Sequence, residues 1–136
     1  MKKISVVLII CLLFLFYTDV TASAAGSVLD PRYNNAYYID CEFEIVNDTA
    51  QININVTGKQ GITSYITVNV KLEKRALLGL IWTDVEEWNS SANTSSHKFV
   101  FSKSVSGGTY RCSFTVTVEG TGGSTDVYTE EITVKN

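Results

Sequence analysis

Apolar and polar residues alternate with a period of two along most of this 136-residue chain. Between residues 37 and 46 the odd positions Tyr37, Ile39, Cys41, Phe43 and Ile45 are apolar, while Asp40, Glu42 and Glu44 fall on the other side. Ala50, Ile52, Ile54 and Val56 alternate with Gln51, Asn53, Asn55 and Thr57. Ile66, Val68, Val70 and Leu72 alternate with Thr67, Asn69, Lys71 and Glu73. Tyr110, Cys112, Phe114, Val116 and Val118 line one face of a further segment. Successive side chains of a strand point to opposite faces, so this pattern predicts half-buried strands. Less regular strands are predicted over residues 76–88, 97–105 and 127–135. Turn chemistry separates the segments: Asn47-Asp48-Thr49, Gly58-Lys59-Gln60-Gly61, the polar run 89–96, Ser106-Gly107-Gly108, and the Gly/Ser/Thr stretch 120–126. About seven strands, apolar on one face and polar on the other, predict an all-β, antiparallel sandwich. Leu77, Leu78 and Gly79 interrupt the pattern and predict a bulge or loop between strands.

The first residues follow a different rule. Lys2 and Lys3 precede a nearly unbroken apolar run of 14 residues, Ile4 to Tyr17. A membrane-spanning helix needs about 20. Thr18 and Asp19 end the run, and Ala22-Ser23-Ala24 supplies the small-residue pattern that a signal peptidase reads. Residues 1–24 are therefore predicted to be a secretory signal peptide, cleaved after Ala24 or, alternatively, after Ala25. Cys11 lies inside the apolar run and has no lipid-attachment pattern after it, so it is expected to leave with the leader. Subtracting 24 residues from 136 leaves 112, enough for one domain, residues 25–136. The expected location is secreted or extracellular, with no membrane association after signal cleavage.

Charge narrows the partners. The whole chain carries −3, and losing Lys2, Lys3 and Asp19 brings the mature part to about −4. No basic block occurs, so neither a nucleic acid nor an anionic lipid surface is expected as a partner. Two cysteines remain, Cys41 and Cys112, each on the apolar side of its strand. In an oxidising compartment they predict one disulfide, with two separate buried thiols as the alternative. A bridge closing so long a loop is worth on the order of 4 kcal/mol.

Gly108-Thr109-Tyr110-Arg111-Cys112 resembles the G-x-Y-x-C stretch of immunoglobulin-like domains. There a tyrosine two residues before the cysteine ties a corner through its hydroxyl, which implies a Greek-key sandwich here. The chain departs from that family at Ser106, where an acidic residue is usual, and at Trp82, which lies far beyond the first cysteine. These departures favour a convergent sandwich. A second resemblance rests on the lysine n-region, Leu72-Glu73-Lys74, the spacing of Trp82 and Trp88, and Gly108-Thr109-Tyr110-Arg111. On these residues the chain looks like a group of uncharacterised small secreted β proteins of Gram-positive bacteria (Firmicutes). That resemblance implies export and a single β domain, and no activity.

No catalytic set is visible. His97 is the one histidine and opens a strand after a polar loop, where it reads as a strand-end residue. One histidine and two paired cysteines make no zinc site, so no metal and no cofactor is expected. Asp84 and Glu86 lie between Trp82 and Trp88, as the carboxylates of a glycosidase can. They read more simply as solvated acids on a half-exposed strand. Trp82 and Trp88 have the same parity, which on a regular strand puts them on one face about 20 Å apart. Each is either core filling or a surface for stacking against a sugar or a protein. The four Asn-x-Ser/Thr sites at Asn47, Asn55, Asn89 and Asn93 read as turn and strand-surface chemistry. The expectation is a secreted, non-enzymatic binding module for a protein or glycan partner. An envelope-associated assembly protein and a small secreted hydrolase are the alternatives.

Overall fold

The computed structural model describes the backbone of residues 22–28 and all of residues 33–136. Eight strands are found among the described residues: β1 (Ala22–Val28), β2 (Ala36–Val46), β3 (Thr49–Gly58), β4 (Thr63–Ala76), β5 (Ile81–Ala92), β6 (Ser96–Ser104), β7 (Thr109–Gly120) and β8 (Thr125–Lys135). They form two four-stranded sheets, ordered β1-β2-β3-β6 and β5-β4-β7-β8. Every pairing is antiparallel. The seven strands from β2 onward correspond to the seven segments predicted as strands, four alternating and three less regular. Strand β5 runs on to Ala92, into the stretch expected to be a polar loop. Strand β1 was not foreseen, because its small residues Ala22, Ser23, Ala24 and Ala25 carry the cleavage pattern rather than an alternation. Most of the expected leader lies outside the described residues. A cut after Ala24 or Ala25 falls within β1.

The inner faces of both sheets make one core. Ile39, Phe43, Ile45, Ile52, Ile54 and Phe99 from the first sheet meet Ile66, Val68, Leu72, Phe114, Val116 and Ile132 from the second. The hairpin β2–β3 turns through Asn47 and Asp48, both at positive φ (50° and 55°). Two such residues match the right-handed twist of the strands, and Asn and Asp tolerate the conformation. Tyr37 corrects the sequence pattern: it is 64 % exposed, whereas Ala36 is buried. The β2–β3 register shifts between Ala36 and Tyr38, and this irregularity reverses the parity at the start of β2.

Cys41 and Cys112 are both fully buried, and both are free thiols. The disulfide expected between them is not formed. Their strands belong to facing sheets, which ordinarily stand about 10 Å apart, whereas a disulfide needs Cα atoms within about 7 Å. Burial pushes the Cys41 thiol up to about 12, with Glu130 and Asp40 adding to the shift. Cys112 is raised for the same reason, and further by Cys41 itself.

Buried polar residues tie the two ends of the sandwich. At one end the Asp126 carboxylate accepts backbone N–H groups of Asn34 (3.0 Å), Asn35 (2.6 Å) and Ala36 (2.9 Å). The Asn35 amide donates to the carbonyls of Val118 (3.1 Å) and Ser124 (2.9 Å). The Asn35 carbonyl accepts from the Thr63 hydroxyl at 2.7 Å. At the other end the buried Tyr110 hydroxyl donates to the Ser106 carbonyl (2.7 Å) and accepts from its N–H (3.1 Å). Tyr110 thereby closes the β6–β7 connection onto its own strand.

Candidate functional site

Strand β5 contains the irregularity that decides where its tryptophans go. Leu72 of β4 faces Glu86, and Glu73 faces Asp84, so Val85 is left without a partner in β4. A bulge of this kind reverses side-chain parity across it. Trp88 pairs with Val70 on the inner face, packs against the core, and stacks on Phe101 of β6 with ring centres 5.5 Å apart. Trp82 pairs with Arg75 on the outer face. The expectation that both tryptophans share one face is thereby corrected. Trp88 closes the seam between the sheets, and Trp82 alone faces outward.

The outer face around Trp82 is built on charge. The Arg111 guanidinium lies 4.5 Å above the Trp82 ring, and that of Arg75 lies 5.5 Å from it. Arg111 is held by the buried Glu73 carboxylate, whose Oε2 accepts from Nε (2.8 Å) and lies 2.7 Å from Nη2. It also reaches Glu131 at 3.4 Å. Arg75 donates from Nε to the Gly79 carbonyl at 3.1 Å. Cations over an indole are attracted by the ring quadrupole, and Arg also stacks flat on it. The result is a fixed aromatic plate flanked by two guanidinium groups. Around it the sheet presents Thr and Ser side chains, including Thr109, Ser113, Thr115 and Thr133. A shallow recess lies beside it, lined in part by Ser113, Thr115, Thr129 and Glu131.

The bulge also separates the two acids suggested as a catalytic pair. Asp84 sits on the outer face and pairs with Lys71 at 2.8 Å. That hydrogen bond holds the Lys71 amine above the usual lysine range. Glu86 sits on the inner side at the sheet edge and forms an ion pair with Lys103 of β6, which holds its carboxyl below the ordinary range. Each acid is therefore engaged with its own lysine, on opposite sides of the sheet. His97 is exposed at the start of β6 and meets Phe99 edge-on at 4.6 Å. Among the described residues no three His, Cys, Asp or Glu side chains gather where they would hold a metal ion.

Sequence reasoning quoted Glu73 and Arg111 only within the strand pattern and the motifs of the two resemblances, with no role at a site, and passed over Arg75. Their signal was present as the polar positions of β4 and β7, but their meeting depends on the pairing of Glu73 with Arg111 and of Arg75 with Trp82. The hairpin joining β4 to β5 is the other feature that the period-two pattern left open. Its tip is a 3-10 turn, Leu77–Gly79, in which Leu77 (φ 48°), Leu78 (φ 55°) and Gly79 (φ 87°) all take positive φ. Compared with known proteins, the chain matches no protein-family model, and no curated protein matches it either, so the reading of this site rests on these residues alone.

Proposed function

We propose that the chain is an exported, non-enzymatic binding module that contacts a protein or glycan partner through the outer face of β5-β4-β7-β8. The observation that carries this reading is the Trp82 ring held outward between Arg75 and Arg111, with Arg111 fixed by the buried Glu73. Glu73 is costly to bury unless paired, so the arrangement keeps the Arg111 guanidinium in place before any partner arrives. Ordering long side chains in advance reduces the entropy lost on binding. Aromatic and arginine side chains are also those on which binding energy concentrates in protein interfaces. The Arg75 guanidinium, held by the Gly79 carbonyl rather than by an acid, favours a partner that carries carboxylates or other anions.

An immunoglobulin-like, Greek-key reading of the sandwich is part of the proposal. It is supported by the strand order, in which the chain crosses from β5 in one sheet to β6 in the other and back to β7, and by the Tyr110 corner. Export is supported by Lys2, Lys3, the apolar run and Ala22-Ser23-Ala24. The likeness to small secreted proteins of Gram-positive bacteria supports the same reading.

The test is a binding screen of the exported protein against envelope polysaccharides and surface proteins, with Trp82→Ala run beside it. A partner retained by the parent and weakened at least tenfold by Trp82→Ala is the expected result, since hot-spot aromatics carry about 2 kcal/mol or more. Partners bound equally by both proteins would remove the Trp82 face from the account.

A further inference from the structure

The tip of the β4–β5 hairpin is the most apolar exposed point among the described residues. Leu78 is 104 % exposed, Leu80 81 %, Leu77 66 % and Ile81 42 %. The last paired residues are Ala76 and Ile81, so Leu77 to Leu80 project beyond the end of the sheet. Leucine rarely takes positive φ, and two in succession are a local conflict that a different turn sequence would avoid. The turn is nevertheless braced. The Leu80 N–H donates to the Leu77 carbonyl at 3.1 Å, and Arg75 caps the Gly79 carbonyl. The aliphatic side chains are held outward on a fixed support.

Charge at this end is sorted as well. Residues 74–83 contain Lys74 and Arg75 and no acid, and the acids on either side, Glu73 and Asp84, are paired with Arg111 and Lys71. Lys135, paired with Thr109, lies on the neighbouring strand at the same end. Asp48, at the same end, accepts from the Asn136 amide at 2.9 Å. Behind the leucines, two residues inward, come Arg75 and Trp82, the residue types that favour the polar boundary of a bilayer.

We infer that the Leu77–Ile81 tip inserts into the surface of an anionic lipid bilayer. The tip is convex and carries no side-chain hydrogen-bonding group, so a protein would have to offer a matching cavity, whereas the acyl boundary accepts it without one. Apolar groups that enter a bilayer interface reach about 5–10 Å deep. Strands rise about 3.3 Å per residue, so Arg75 would then stand at headgroup level. The mature charge of about −4 argues against lipid only when it is averaged over the molecule. At the tip the local sign is positive, and attraction to anionic lipid falls off within a Debye length of the surface. This contact goes beyond binding through the Trp82 face and does not depend on it.

The test is co-sedimentation of the protein recovered from the culture medium, with large vesicles of phosphatidylcholine alone or with 30 mol % phosphatidylglycerol (a fraction on the order of an anionic leaflet). Parent and variant carry the same N-terminus. Leu78→Asn is the decisive variant, because asparagine suits positive φ and leaves Arg75 and Trp82 untouched. The parent is expected to bind the anionic vesicles and to lose affinity as salt rises. Leu78→Asn is expected to bind about tenfold more weakly, the loss for one buried leucine. Its melting temperature should equal or exceed that of the parent, which separates lost contact from lost folding. A parent that stays in the supernatant with anionic vesicles overturns the inference. So does a Leu78→Asn variant that binds within twofold of it. Retention of the parent by protein partners alone, abolished by Leu78→Asn, would overturn it in favour of a protein groove. Failure of the Trp82→Ala test alone leaves these outcomes unchanged.

Discussion

Asp126 accepts three backbone N–H groups, so its charge is coupled to the folded state. Burial alone would raise its pKa, but the amides of Ala36, Asn35 and Asn34 and the charge of Lys59 bring the carboxyl below its ordinary value. An unfolded aspartate titrates near 3.9 (about that value in model peptides). The folded pKa lies lower, so the stability contributed by Asp126 is fully present above the unfolded value. It is lost as pH falls through the folded pKa. Asp126→Asn is therefore expected to be about 1–3 kcal/mol less stable at neutral pH. The gap should narrow as both proteins are acidified, which melting curves measured from pH 7 downward would show. A constant gap at every pH would mean that the charge plays no part. None of this knot could be read from the sequence. Asn35 and Asp126 lie on segments separated by 91 positions, and neither belongs to an alternating run. By contrast, the apolar sides of β3, β4 and β7 are buried position for position as their alternation requires.

At the scale of the element, β7 ends where its neighbours leave no room. A Cβ on Gly120 would collide with the Asn35 side-chain oxygen and approach the Ser124 hydroxyl at 2.9 Å. Both atoms belong to the polar knot, and the Gly120 N–H itself donates to the Ser124 carbonyl at 2.8 Å. Gly120→Ala is accordingly expected to cost about 1–3 kcal/mol, an overpacking penalty, read as a lower midpoint in urea at an unchanged slope. An alanine variant as stable as the parent would show that Asn35 can yield. Strand ends were less legible than strand bodies. Residues 120–126 read as a turn because of their Gly, Ser and Thr, yet Asp126 belongs to β8 and its side chain serves the core. Strand β5 was the least legible, because the period-two reading assumes no inserted residue and Val85 is one.

For the whole molecule, the two free thiols act as internal reporters of unfolding. With a Cys41 pKa near 12, roughly one thiol in ten thousand would be ionised at pH 8 even if reagent could reach it. Both sulfurs also lie between the sheets, where reagent enters only when the core opens. Alkylation of the Cys41 and Cys112 peptides, followed by mass spectrometry, should be very slow in the native protein and complete in denaturant. The two sites should react at the same rate, set by opening of the whole sandwich. Rapid reaction at one cysteine alone would mean that its sheet opens separately. Resistance of both in denaturant would mean that they are bonded. The sequence placed both cysteines inside correctly, since alternation fixes the face. Whether they bond depends on the spacing between sheets, which no pattern along a single strand contains.

The unpaired residue in β5 has a further consequence, which concerns how this protein can change. A bulge acts as a frame shift in the pleat: the chain before Val85 is read in one phase and the chain after it in the other. The upstream phase, with Trp82 and Asp84, faces outward and is tied only to the outer-face side chains Arg75, Arg111 and Lys71. The downstream phase, with Glu86 and Trp88, is bound to the seam and to its mates Lys103 and Phe101. One strand thus carries two independently selectable surfaces. Loss of a single residue at Val85 would fuse them, turning Trp82 inward or Trp88 outward without altering any other side chain.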